Sequence, residues 1–221
     1  MKLRLHELSH SPYCIPVVRI LEAYGVSFER VSVPPWDRRE LARLTGGACY
    51  QVPVLEHDSN IIHETPEDPL AVPHYLDQHF ANGDLFPSQH AGIQDIVIAH
   101  IEDYLEGLGF PLADPSYIDS IPDLGERVML IRHKERKLGV GCVDQWRDNA
   151  AAIAAEFESA LSPYEVHLED SDFLFSDHPV FADYALYGVI GNAQFSGDFV
   201  LGDYLPNLKE WEARMKNLSR V

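Results

Sequence analysis

The chain has 221 residues, close to half of them apolar, with a formal net charge of -18 and only three cysteines. That length suits one large or two ordinary domains. The acidity argues against nucleic acid or an anionic membrane as a partner, because both are polyanions. No apolar run is long enough to span a bilayer, and the N-terminal MKLRLHELSHSPYC lacks the pattern of a secretory signal. Cys14, Cys49 and Cys142 are too few and too scattered for a disulfide framework, so a cytoplasmic protein is expected.

The first eighty or so residues alternate strand and helix signals. Lys2 to Leu8 alternates apolar Leu3 and Leu5 with polar neighbours, as a strand does. Ser11-Pro12 then predicts a helix start, with serine as N-cap and proline at the first helical position. Val17, Val18, Leu21 and Tyr24 give that helix its apolar face, and Gly25 ends it. Phe28 to Val33 reads as a second strand, and Asp37 with Glu40 as the start of a short helix carrying Leu41 and Leu44. Val52 to Leu55, the turn Asp58-Ser59-Asn60 and Ile61-Ile62 form a hairpin, and Leu70 to Phe80 a helix despite Pro69 and Pro73.

From about Ala91 the strand signals stop. Ile93, Ile96, Val97, Ile101, Tyr104, Leu105 and Leu108 recur at helical spacing, as do Trp146, Ile153, Phe157, Leu161, Tyr164 and Leu168. Pro111, Pro115 and Pro122 predict a loop between helices, and Pro206 opens a last helix through Leu208, Trp211 and Met215. Ala81 to His90 reads as a linker. The expected architecture is an α/β domain over residues 1–82, with the β-α-β-α-β-β-α order of the thioredoxin-like fold, followed by an all-helical domain over 91–221.

Two segments carry chemistry. In Ser11-Pro12-Tyr13-Cys14, a helix N-terminus would present backbone N–H groups and its dipole to an anion such as a thiolate, and the serine hydroxyl can donate to that anion. The same hydroxyl also reads as an ordinary N-cap. In QVPVLEHDSNIIHET, Pro53 opens a strand and Glu64-Thr65 places a carboxylate and a hydroxyl before a helix. These fit a peptide-like ligand, and equally an edge hairpin followed by a cap.

Four motifs in register extend this reading. Ser11-Pro12-Tyr13-Cys14 is similar to the Cys-Pro-Tyr-Cys motif of glutaredoxins with its first cysteine replaced by serine. Val52-Pro53 resembles the cis-proline motif of cytosolic glutathione transferases, and Glu64-Thr65 their acid–hydroxyl pair. The stretch from Phe173 to Gly188 resembles the helical-domain signature of the same superfamily.

The resemblance implies a protein that binds glutathione as cosubstrate, stabilises its thiolate and transfers it to a small hydrophobic electrophile. It also implies a homodimer. Ser11 would face the sulfur as the catalytic residue. Val52, before a cis Pro53, would pair its backbone with the cysteinyl part of glutathione, Glu64 would accept from the γ-glutamyl ammonium, and Thr65 would take the γ-glutamyl carboxylate. A non-catalytic binding or interaction protein of the same fold is the alternative.

The sequence also departs from the superfamily pattern. Dithiol exchange lacks its first cysteine, and Cys14 reads as a small buried hydrophobe. Pro16 is a second proline in the first helix. Val180 stands where a hydroxyl would cap the helix carrying Asp183, and the insert Pro66 to Pro69 interrupts the chain behind Thr65. Arg38, Arg39 and Arg43 are candidates for the glycine carboxylate or for a solvated helix face. Tyr13, His100, Asp103 and Tyr104 are candidates for the electrophile side. Eleven histidines give no metal-ligand spacing, and no metal is expected.

Overall fold

A computed structural model describes residues 2–219, so the expected domain limits at Met1 and Val221 lie outside the described residues. The first half runs β1 (Leu3–Glu7), α1 (Cys14–Ala23), β2 (Glu29–Ser32), α2 (Arg39–Leu44), β3 (Val54–His57), β4 (Asn60–Ile62) and α3 (Ala71–Leu76). The sheet order is β2-β1-β3-β4, with β1 parallel to β2 and antiparallel to β3. This is the expected thioredoxin-like order. Alternation along the strands feeds two faces: Leu3, Leu5 and Leu55 join the core that includes Val17, Leu21 and Leu76, while Val54 packs with Val33 and Leu41 on the α2 side.

The second half is helical throughout: α4 (Ala91–Ala99), α5 (Glu106–Ser120), α6 (Leu124–Leu138), α7 (Cys142–His167), α8 (Phe181–Ala193) and α9 (Pro206–Asn217). A π-helical segment, His100–Leu105, joins α4 to α5, and another, Asp77–Ala81, follows α3. No helix among the described residues is long and apolar enough to cross a membrane.

The prolines are where sequence and structure part. Pro111 and Pro115 lie inside α5 and not in a loop. Both are buried with Leu112, Ala113 and Ile118 against neighbouring helices, so tertiary packing carries the helix through residues that would break it in isolation. Pro16 and Pro73 fit for a simpler reason. Each is the third residue of its helix, where the backbone N–H has no intrahelical acceptor to lose.

The apolar stripe expected from Ile93 to Leu108 is split. Ile101 and Leu105 are buried and Val97 and Leu108 pack against the core, whereas Ile93, Ile96 and Tyr104 are exposed and Gln94 and Ile98 are buried.

One apolar core joins the two halves, from Leu3 and Leu21 through Leu105 and Phe157 to Trp211 and Met215. The segment between them is tied down as well: the Leu85 carbonyl accepts from the Phe181 N–H at 2.9 Å and from Gln94 Nε2 at 3.2 Å. Asp183 anchors the start of α8. Its buried carboxylate accepts from the N–H of Val180 and of Leu174 and from Trp211 Nε1, at 3.1, 3.0 and 3.0 Å. Val180 brings no hydroxyl, so only this half of a capping box operates; the Asp183 N–H goes to the Val180 carbonyl instead.

Candidate functional site

A cavity of about 410 Å³ opens between the sheet domain and the helices. Ser11, Tyr13, Val52, Pro53 and Glu64 reach it from the first half, and Glu102, Glu106, Phe110 and Asp114 from the helix that begins the second.

Ser11 sits on a turn, not on the helix. α1 begins at Cys14, two residues later than the Ser-Pro pair predicts, because the Ser11 carbonyl takes the N–H groups of both Cys14 and Ile15 at 3.0 Å. The Ser11 hydroxyl accepts from the Tyr13 N–H at 3.3 Å. The N–H groups expected to face an anion are therefore spent on Ser11 itself. What remains for a ligand is the O–H proton of Ser11, since a hydroxyl that accepts can still donate.

Two contacts from α8 fix that turn. Gly188 lies against it so closely that a Cβ there would stand 2.3 Å from the Pro12 carbonyl oxygen and 2.6 Å from Pro16 Cγ. One turn further, Asn192 Nδ2 donates to the His10 carbonyl at 2.5 Å.

The charges around Ser11 are arranged unevenly. His10 is held neutral, its pKa lowered to about 4 by burial and by nearby Lys134 and Arg38. Its ring lies 3.9 Å from that of Tyr117. Cys14 is fully buried, which pushes its thiol up to about 12 against the pull of the Leu8 backbone and the Ser11 hydroxyl. No thiolate forms there near neutral pH. Burial together with Glu106, Glu102, Asp103 and Glu64 raises the Tyr13 hydroxyl well above its ordinary range.

Val52-Pro53 is a cis peptide. The β1–β3 register begins at Val54, so the N–H and C=O of Val52 stand outside the ladder. Glu64 is on the cavity wall, and behind it the Cys49 thiol lies 3.8 Å from Glu64 Oε1.

Thr65 is placed differently. Its N–H donates to the Asp68 carbonyl at 3.1 Å, its hydroxyl accepts from the Asp68 N–H at 3.0 Å, and it is not on the wall. The insert after Thr65 folds into this turn, and α3 starts only at Ala71.

The three candidate arginines separate. Arg39 pairs with Asp37 and Arg43 with Glu40, both in solvent, while Arg38 lines the cavity with its Nη1 buried and unpartnered.

On the helical side, His100, Asp103 and Tyr104 are off the wall; His100 Nδ1 instead meets the Tyr164 hydroxyl at 2.9 Å. Sequence reasoning missed Glu102, Glu106 and Asn192. The spacing of four through Glu102, Glu106, Phe110 and Asp114 was the available signal. Among the described residues no group of three or more His, Cys, Asp or Glu side chains is arranged to hold a metal ion.

Comparison with known proteins agrees with this layout. Residues 5–83 match the family described as glutathione S-transferase, N-terminal domain, and residues 144–214 the family described as glutathione S-transferase, C-terminal domain. No curated protein sequence matches the chain. Among solved structures, a glutathione S-transferase of Ceriporiopsis subvermispora in complex with glutathione superposes with a TM-score of 0.80 at 13% identity, covering 100% of this chain and 99% of that one. Glutaredoxin 2 of Salmonella typhimurium in complex with glutathione gives 0.71 at 17%, covering 98% and 96%. A β-etherase of Sphingobium sp. strain SYK-6 gives 0.65 at 18%, covering 98% and 96%.

Proposed function

The chain belongs to the glutathione S-transferase superfamily, and from that premise we propose that it binds glutathione in the cavity at Ser11 and transfers its sulfur to an electrophile. The observation that carries this reading is that one cavity gathers Ser11, the cis Val52-Pro53 peptide and Glu64. Two structural neighbours have glutathione bound, in keeping with that ligand.

In this proposal the γ-glutamyl ammonium pairs with Glu64, and the cysteinyl amide bonds the free N–H and C=O of Val52 beside Pro53. Thr65, off the cavity wall and bonded to Asp68 through both its N–H and its hydroxyl, holds the turn directly behind Glu64. Arg38, with an unpartnered guanidinium nitrogen, takes the glycine carboxylate.

The sulfur then lies against the Ser11 hydroxyl at the mouth of α1. The O–H donates to the thiolate, and the positive field of Arg38 and Lys134 favours the charged form. The thiol proton leaves to solvent, and the bound thiolate attacks an electrophile held against the helical wall. Cys14 takes no part, which separates the chain from dithiol exchange.

Association of two copies belongs to the same proposal. Exposed Ile93, Ile96 and Tyr104 leave an apolar face on α4 and the segment after it. Titration calorimetry with glutathione, followed by a conjugation assay with 1-chloro-2,4-dinitrobenzene, tests the reading. Binding with turnover supports it, binding without turnover leaves a glutathione-binding protein, and absence of binding rejects it.

A further inference from the structure

The wall opposite Ser11 is unusual for an apolar electrophile. Glu102, Glu106, Phe110 and Asp114 follow one another at intervals of four along the helix, and all four line the cavity. Asp114 is buried and answered by Lys134, whose Nζ also lies 4.8 Å over the Phe110 ring. Glu102 and Glu106 have no hydrogen-bond or ion-pair partner among the described residues. Lys134 and Lys137 offset part of the charge on Glu106, but the charged neighbours of Glu102 are Asp103 and Glu106, both acidic.

A second, independent feature points the same way. Asn192 is only 2% exposed and lines the same cavity. Its Nδ2 donates to the His10 carbonyl, and a carbonyl only accepts, so that bond fixes the amide orientation and leaves Oδ1 as the unpartnered atom. Glu102, Glu106 and Asn192 thus border one cavity as acceptors that no N–H or O–H of the described residues meets. Of its cations, Lys134 is paired with Asp114, Lys137 offsets part of the charge on Glu106 and Arg38 is assigned to the glycine carboxylate. An uncharged apolar molecule there would bury the three acceptors unpaired, at a penalty.

We propose that the second substrate carries a cationic nitrogen group, which pairs with Glu102 and Glu106 and presents N–H donors to the acceptors of the cavity. The proposal rests on the reading that glutathione occupies the Ser11 side. It narrows the electrophile from small and hydrophobic to aromatic or aliphatic with a protonated amine or amidine.

The test uses one electrophile with three charges: 4-chloro-3-nitrobenzylamine, the corresponding benzyl alcohol and the corresponding benzoate. In each, glutathione sulfur forms the C–S bond at the chlorine-bearing carbon, chloride leaves with the bonding pair, and the thiol proton passes to solvent. Each kcat/KM is divided by the uncatalysed rate with glutathione. The amine is expected to exceed the benzoate by roughly tenfold or more, a modest demand on two carboxylates within a few ångströms. A Glu102→Gln/Glu106→Gln double variant should bring that ratio close to unity.

Direct titration of the benzylamine and the benzoate into glutathione-free protein measures the same preference without turnover. A glutathione isotherm, run separately, judges the underlying reading. If the double variant loses its native melting transition, Glu102→Gln alone carries the comparison. Equal or reversed preference in the wild type, or amine binding that survives the substitutions unchanged, overturns the proposal.

Discussion

Gly188 in α8 holds the turn at Pro12 so close that a methyl group in place of its hydrogen would stand 2.3 Å from the Pro12 carbonyl oxygen. The turn that presents Ser11 is thus shaped by a helix more than 170 residues away in sequence, and Asn192 ties its other end at His10. The position of the candidate catalytic hydroxyl is a property of both halves of the chain.

Gly188→Ala tests that dependence. The added methyl must push the turn off α8, at an expected loss of about 1–3 kcal/mol in unfolding free energy. Because Ser11 moves with the turn, conjugation kcat should fall by about tenfold or more while the glutathione Kd changes less. Urea unfolding and steady-state kinetics on the same preparation read both effects.

Ser11→Ala removes the donor to the sulfur. Conjugation should fall by roughly 10- to 100-fold, within or below the range for losing one preorganised donor. The pKa of the bound glutathione thiol should rise, visible as lost thiolate absorbance in an ultraviolet pH titration. Loss of the hydroxyl that accepts the Tyr13 N–H should lower stability by about 1 kcal/mol.

Glu64 and Thr65 are adjacent yet should behave differently. Glu64→Gln removes the charge opposite the ammonium and should weaken glutathione binding by roughly tenfold or more. Thr65→Ala should weaken it less, because the Thr65 N–H is already given to Asp68, and should show instead as a stability loss of about 1 kcal/mol. Calorimetric Kd values beside melting curves separate the two.

Glu102 predicts a pH dependence of stability. Burial, then Asp103 and Glu106, raise its pKa from 4.5 to about 7. A carboxyl whose folded pKa is the higher one takes up a proton on folding between those values. Its contribution to stability is complete below pH 4.5 and declines as pH rises through 7. Glu102→Gln lacks the group, so between pH 5 and pH 8 the variant should gain roughly 2 kcal/mol relative to wild type. Urea midpoints at the two pH values decide it.

Asp183→Ala leaves the N–H of Leu174, the N–H of Val180 and the indole of Trp211 without their acceptor inside the core. An unfolding penalty of about 3–5 kcal/mol is expected, and a smaller one for Asp183→Asn, which keeps an oxygen. Denaturant midpoints of the two variants give the difference.

Much of this was legible in the sequence. The order of strands and helices followed from period and punctuation, and Gly25 ended α1 one residue after its C-cap, at a φ of 62°. What escaped depended on contacts from afar. Pro111 and Pro115 read as breakers because nothing local shows the packing that overrides them. Arg38, Arg39 and Arg43 are equivalent in sequence, and only the fold turns Arg38 inward.

The wall residues escaped for a geometric reason. The resemblance pointed to the right helix through His100, Asp103 and Tyr104, but the π-helical segment His100–Leu105 widens the turn and shifts the phase of that helix, which no local pattern shows. The side chains that reach the cavity are Glu102 and Glu106.

The shared core has an evolutionary consequence. Leu5, Leu21 and Leu76 are completed by Leu186, Ile190 and Trp211, and the joining segment is pinned at Leu85. Neither half owns a finished interior, so the two cannot be exchanged between proteins as independent cassettes. Substitutions that retune the helical wall for a new electrophile must be absorbed by the same interior that holds the sheet.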